Sequence, residues 1–498
     1  MLRLTYHVLV ILAPQIVLLI TVALLALCAK LNDGSPRSIP AMICFTGMVV
    51  ASLAQLRLYA VESTSLGTAT IWPGMVLDPM GWILSFVIFL IATVSVMTRR
   101  LRSYSGQGDL RYCLLVTIST LAWSIMPALH NLPLMAGCMM LGSLPLVSLS
   151  TFGSDRDWLG SLELLAALAV MLITLLLLVF GVGGIHLVNG LIIVPPKSSA
   201  AAAILVVLFL MPSLFWLGSL PLVWWFGDAA GREPAAVSFF VLLAPYIGSL
   251  AAYLRIVHRL NQINPAAAHM VTLTIMAAGA MAVLAYGIRA VLLNIVPDVL
   301  GNVIGVLAGC TLVTIAAGMS MPHVGISNLV GCGLLYALTA GIAMGSAAGI
   351  MGRQALGLKQ QWPSFARVKA PQAFMLLLAL ISLGGLPPTL GSVARIGLMR
   401  VIGSNSPMSL FVLGFNVLGI LLGSAAALRV GAYALMGDQE PIKSEAQPAR
   451  AKRRKTRRMA VGGVLLLLTA CVLNALALMA YNPIQQVVTA FAPAWTAR

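Results

Sequence analysis

An ionisable side chain inside an apolar segment is costly to bury in hydrocarbon, so such residues mark the places where chemistry can occur. The clearest case lies in Leu378–Met399. There Gly384-Gly385-Leu386-Pro387-Pro388 interrupts a run long enough to cross a membrane, and Arg395 follows within about two turns. Pro387 and Pro388 free carbonyls one turn earlier, and a guanidinium is a natural donor to them. An arginine does not release its proton in a protein. Arg395 can therefore hold an anion, order water, pair with an acid or snorkel to the interface, but it does not relay protons. Two titratable residues are further candidates for a proton path. Glu163, in Ser161-Leu-Glu-Leu-Leu165, stands near a helix start, as a relay or as a capping or interfacial acid. His323, in Met321-Pro-His-Val-Gly325, is a titrating group in a watery path or a hydrogen-bonded interfacial histidine. Asp78 precedes a proline in Val76-Leu-Asp-Pro-Met80 and reads as a helix N-cap.

The elements that position these residues are membrane-spanning helices. Of 498 residues, 60% are hydrophobic and only 9% charged, a balance that a soluble chain of this length does not carry. Apolar runs of about 20 residues recur along the whole chain, and the alternating segments of about 10 residues expected of a β-barrel are absent. About fourteen spans are predicted: 8–29, 38–60, 76–98, 112–129, 131–152, 161–187, 200–226, 235–256, 268–292, 300–322, 326–350, 370–402, 408–433 and 459–481. The expectation is an all-α integral membrane protein, one polytopic domain over 1–498, with a broken helix near 384–388.

The net charge of +17 then concerns orientation rather than nucleic acid, because Lys and Arg collect in cytoplasmic or matrix loops. With the N-terminus outside, the odd-numbered loops hold Lys30 and Arg37; Arg99, Arg100, Arg102 and Arg111; Arg353, Lys359, Arg367 and Lys369; and the run 451–458. The opposite loops hold little beyond Lys197, Arg255 and Arg259. Both termini are expected outside. The polar loop 437–458 lies between spans 13 and 14; its basic run binds anionic lipid head groups or serves only as a topology anchor.

Other classes fall away. Cys28, Cys44, Cys113, Cys138, Cys310, Cys332 and Cys471 form no CxxC pair, which argues against a disulfide framework, an iron–sulfur cluster and a zinc site. His186, His258, His269 and His323 show no metal-ligand spacing. No GxGxxG or Walker loop is present. No cofactor and no metal are expected.

Three stretches resemble one family. Gly384-Gly-Leu-Pro-Pro-Thr-Leu-Gly-Ser-Val-Ala-Arg-Ile396, led in by Gly357-Leu-Lys-Gln-Gln-Trp-Pro363, is similar to the broken twelfth helix of the antiporter-like subunits of proton-pumping NADH:quinone oxidoreductase, complex I. The stretch from Pro221 to Ser238 follows that family's pattern in Pro221, Trp225, Asp228, Pro234 and Val237. Leu141-Gly-Ser-Leu-Pro-Leu-Val-Ser-Leu149 is similar to the fifth helix of subunit N, the mitochondrial subunit 2 type, as is the end of the last span at Met479-Ala-Tyr-Asn-Pro-Ile484.

The departures from that pattern carry the functional expectation. Where the resemblance places the fifth-helix glutamate stands Met140, and Ala167 stands at the sixth-helix lysine. Trp216 takes the seventh-helix lysine, Val223 a nearby histidine and Tyr246 the eighth-helix lysine. The tenth-helix lysine-arginine motif is missing near His323, and only Arg395 keeps a cation. The resemblance thus implies a divergent membrane-arm subunit whose proton-translocating residues are largely lost and whose role is mainly structural. It implies no redox centre of its own, other membrane-arm subunits and membrane lipids as partners, and no nucleic acid. A subunit that still translocates protons, in complex I or in a related hydrogenase or cation–proton antiporter complex, and a free-standing secondary transporter are the rival readings. The Ala-rich composition favours a bacterial inner membrane over a mitochondrial one.

Overall fold

The computed structural model describes residues 11–31, 39–62, 69–72, 75–100, 107–150, 159–180, 186–188, 191–193, 199–219, 225, 235–319 and 407–436, with 329–331, 333–334, 336–337, 339–341, 377, 379–380 and 382–383. They form helices α1 (Ala13–Leu31), α2 (Ile39–Glu62), α3 (Pro79–Arg100), α4 (Gln107–Ile125, continued by a 3₁₀ turn Met126–Ala128), α5 (Leu132–Ser150) and α6 (Leu159–Val179). Further along are α7 (Ser199–Phe209), α8 (Met211–Trp216), α9 (Ala235–Ile263), α10 (Pro265–Leu292), α11 (Val296–Met319) and α12 (Pro407–Met436). Ten of these are long and apolar enough to cross a membrane. They match ten of the expected spans. The eleventh, twelfth and fourteenth expected spans, with the break at 384–388 and the loop 437–458, lie wholly or mostly outside the described residues.

The described residues divide into two compact units. One comprises residues up to Trp216 with Leu243–Thr272; the other comprises Leu217–Leu242 and the described residues from Leu273 onward. In the first unit α1 to α4 pack together and α5 packs on α4. The apolar side chains on the outer face of α1 (Leu19, Ile20, Leu24, Leu27) and of α6 (Leu162, Ile173, Leu176) are exposed. Hydrocarbon, not protein, is the environment that suits such faces. By contrast α9 is buried without interruption from Val237 to Val257. Short polar bonds tie the first unit between helices: Ser85 Oγ donates to Ser124 O at 2.6 Å, and Gln55 Nε2 to Trp82 O at 3.4 Å.

Two findings differ from the sequence reading. The seventh span, expected to run unbroken over 200–226, is interrupted. Helix α7 ends at Phe209, and α8 restarts at Met211 with Pro212 as its second residue. Pro212 has no N–H for the carbonyl four residues earlier, so the ladder fails there. Beyond Trp216 the chain leaves through Gly218 at φ 68°, a conformation that suits glycine. The second finding is a pair of small hairpins added to the helical fold, β1 (Ala69–Trp72) with β2 (Met75–Leu77) and β3 (His186–Val188) with β4 (Leu191–Ile193). The first is irregular between Thr70 and Trp72, and its Met75 bridges to Leu129 and packs on Leu58, Trp82 and Ala128.

In the second unit the helices meet at glycine. A Cβ on Gly419 of α12 would stand 2.5 Å from Val283 Cγ1 and 2.8 Å from the Val283 carbonyl oxygen of α10, and one on Gly287 of α10 would stand 2.9 Å from Gly419 O. Backbones this close use van der Waals contact that any side chain would push apart. The same helix pair is fastened by Arg429 of α12. Its Nη1 donates to Val291 O at 2.5 Å, and its Nη2 donates to Leu293 O and Ala290 O. These carbonyls belong to the end of α10, where no intrahelical donor reaches them, and a cation there also suits the helix dipole.

Gly419→Ala is expected to lower the thermal stability of the purified protein by the equivalent of about 1–3 kcal/mol, because the obstructing atom is backbone. Gly414→Ala, on the same helix with open space around its added Cβ, should leave it unchanged or raise it by up to about 1 kcal/mol. Melting curves of the two variants beside the parent decide it; equal melting temperatures would contradict the close crossing.

Candidate functional site

At the middle of the first unit, α4, α5, α8 and α9 converge on two tryptophans. Trp123 of α4 is fully buried between two glycines. A Cβ on Gly142 of α5 would stand 2.7 Å from its Nε1, and one on Gly248 of α9 would overlap Cε3. Both positions must therefore be glycine for the indole to lie where it does. The ring of Trp216, from α8, meets it edge to face, with centroids 6.2 Å apart at 81°, and Phe215 packs on Trp216 at 5.1 Å. Trp216 Nε1 donates to Ser143 Oγ at 3.0 Å, Ser119 Oγ donates to Gly142 O at 2.7 Å, and Ser213 Oγ to Met139 Sδ at 3.7 Å. The Trp123 N–H has no hydrogen-bond partner among the described residues. None of these groups titrates near neutral pH; an indole is a donor only.

The buried charges stand elsewhere. Among the described residues only Asp78 and Arg255 are charged and buried, and they meet at the N-terminal end of α3. Arg255 Nη1 donates to Asp78 Oδ2 at 2.8 Å and Nη2 to Asp78 Oδ1 at 2.5 Å. Arg255 Nε and Nη2 also reach Pro127 O at 2.9 and 2.6 Å. Asp78 Oδ1 accepts from Gly81 N at 2.8 Å, so it caps α3 as expected and pairs an arginine as well. His130 completes the cluster: Arg255 Nη1 donates to its Nε2 at 2.9 Å, which requires a neutral ring with its proton on Nδ1. Burial, then the charge of Arg255, pushes the His130 pKa down from 6.5 to about 4, with Asp78 opposing and Arg259 and His258 adding to the fall. This arrangement holds the ends of three helices and leaves no free base; it is a clamp.

Of the residues predicted to form a proton path, Glu163 is described. It is the fifth residue of α6, past the first turn and so not at the N-cap; it is half-buried and one carboxylate oxygen is out of solvent. Arg395 and His323, with Gly384, Gly385, Pro387 and Pro388, lie outside the described residues. The positions at which the resemblance placed lysines are apolar or hydroxylic here and deep inside: Ala167, Trp216 and Tyr246 are 3%, 0% and 0% exposed. On α5 it is Met139, not Met140, that is fully buried and faces Ser213. The sequence reading missed Trp123 and His130, and it placed Arg255 in a loop.

No family model matches the chain. A protein of Polaromonas naphthalenivorans (strain CJ2) described as NADH-quinone oxidoreductase subunit N is 25% identical over 509 aligned residues, covering 95% of this chain and 97% of that protein. A chain of respiratory complex I from Thermus thermophilus with bound aureothin superposes with a TM-score of 0.72 at 18% identity, over 95% of this chain and 98% of that one. A chain of the Mrp complex from Dietzia sp. DQ12-45-1b gives the same TM-score at 15% identity, over 97% of each. The fold is the antiporter-like one. The resemblance to subunit N holds along nearly the whole sequence, and the chain is a multi-pass membrane protein. On this antiporter-like fold the interrupted seventh helix and the indole pair belong to the same unit.

Two outcomes follow for the clamp. Asp78→Ala strands Arg255 in a buried place and is expected to cost about 3–5 kcal/mol, whereas replacing both partners, Asp78→Ala with Arg255→Met, should restore part of that loss. Thermal melting in detergent measures both, and an additive double variant would contradict the pairing. His130 has its pKa depressed in the folded state, so the unfolded chain takes up the proton first as pH falls. Stability should therefore be full above pH ~6.5 and drop toward pH ~4, and His130→Gln should flatten that part of the profile.

Proposed function

We propose that this chain is an antiporter-like membrane-arm subunit of a bacterial respiratory NADH:quinone oxidoreductase, in the inner membrane. In it the ionisable residues of the translocation path are largely replaced, so that its role is mainly structural. The relative described as subunit N supports the assignment to that complex. The observation that carries the second part is Trp216. Where the resemblance calls for a lysine, a fully buried indole donates to Ser143. Proton transfer through a bundle needs titratable groups or ordered water at mid-depth, because a bare charge in hydrocarbon costs several kcal/mol, to an order of magnitude. The residues that hold Trp123 and Trp216 include Gly142, Ser143, Phe215 and Gly248, none of them an acid or an amine. NADH oxidation and quinone reduction would belong to other subunits of the assembly.

The likeness to the Mrp complex chain favours one alternative, a subunit of a cation–proton antiporter assembly. Isolation of the tagged chain under native conditions separates the readings. It is expected to migrate with a large assembly that oxidises NADH. Migration alone, or with partners lacking that activity, would contradict the proposal. In vesicles holding the assembly, Glu163→Gln and Arg395→Ala are expected to leave the proton-to-electron ratio unchanged. A fall in that ratio would return this chain to the pumping subunits.

A further inference from the structure

The polar groups around the two indoles are more than a packed core needs. Ser143 Oγ accepts from Trp216, Ser119 Oγ donates to the carbonyl of Gly142 beside Trp123, and Ser213, three residues before Trp216, donates to Met139 Sδ. The Trp123 N–H is buried there without a partner. A water molecule occupies an interior site when it finds two to four polar partners and about 30 Å³ of room; an apolar cavity of the same size stays dry. Here the partners are present and the room is taken by indole.

We propose that Trp123 and Trp216 are a hydrophobic seal: they fill a place whose surrounding groups are suited to bind water, and they keep the first unit closed to water and protons. The inference rests on the reading that this chain does not conduct protons, and it assigns that property to two side chains rather than to the missing lysines alone. The geometry gives the seal its rigidity. Gly142 and Gly248 lie so close to Trp123 that neither leaves room for a Cβ, and the Ser143 bond and the edge-to-face contact hold Trp216 against it. Gly142 is the eleventh of the 18 residues of the Leu132–Leu149 span and Gly248 the twelfth of the 27 of Val237–Ile263, so the contact lies away from the ends of both. Truncating Trp216 would leave Ser143 Oγ without its donor and open a void beside the rings of Trp123 and Phe215. A hydroxyl freed in this way is the kind of partner that an entering water requires.

The test is passive proton entry into vesicles containing the full chain with the assembly it purifies with, followed by an internal pH dye under an imposed gradient. Trp216→Ala is expected to raise the rate several-fold over the parent. Trp216→Phe keeps an aromatic filling but loses the N–H, and should remain as tight as the parent. Trp216→Leu, a milder truncation, serves if the alanine variant is not inserted, and should leak to a lesser degree. Variants with Ala and Leu as tight as the parent would overturn the seal while leaving the proposed function standing. A parent protein as leaky as Trp216→Ala would overturn the non-conducting reading itself.

Discussion

The wedge of Trp123 between Gly142 and Gly248 is the constraint on which the first unit depends. Three helices approach there only because two of them present no side chain, and the gap so made is filled by the largest side chain available. Trp216 is brought to the same point because Pro212 ends one helical segment and starts another, α8, which closes the group from the fourth side. A bundle built this way gains dispersion contact at its middle, where a proton-conducting bundle of the same fold would place charge and water. Trp216 and Tyr246, far apart along the chain, are both fully buried in this first unit.

Among the described residues, Arg255 and Arg429 bind the ends of neighbouring helices. Arg255 spends its donors on Asp78, His130 and the Pro127 carbonyl, and Arg429 spends its Nη donors on the last carbonyls of α10. In both places the guanidinium satisfies groups that a helix terminus leaves open, and fixed fork geometry makes arginine the residue for the task. Neither cation is available for proton relay. Arg255 also explains an apparent exception to the positive-inside pattern: the charge that the sequence reading assigned to an outer loop is neutralised inside the fold by Asp78.

Much of the architecture was legible in the sequence, because hydrocarbon imposes a simple length rule on apolar runs and α1–α6 and α9–α12 obey it. The cap at Asp78 was legible too, from an acid before proline. Its partner was not. Arg255 lies 177 residues further on, and no periodicity links the two; besides, α9 continues to Ile263, so a residue taken for loop is helical and buried. The interruption at Pro212 was hidden because Leu, Phe and Trp keep the hydropathy high across it, although Met211-Pro212 was the available sign. Trp123 escaped notice for a different reason. A tryptophan in an apolar span is unremarkable until the two glycines that receive it are brought together from positions 142 and 248. The expected twelfth-helix break with Arg395 belongs to residues outside those described.

The central claim is that the mid-depth interior of the first unit is dry. The most direct measurement is an experimental density map of the chain in its native assembly, at a resolution that shows ordered water. The account predicts no water within hydrogen-bonding distance of Trp123 Nε1 and direct contact of Trp216 Nε1 with Ser143 Oγ. A connected file of waters passing between the two indoles would contradict it.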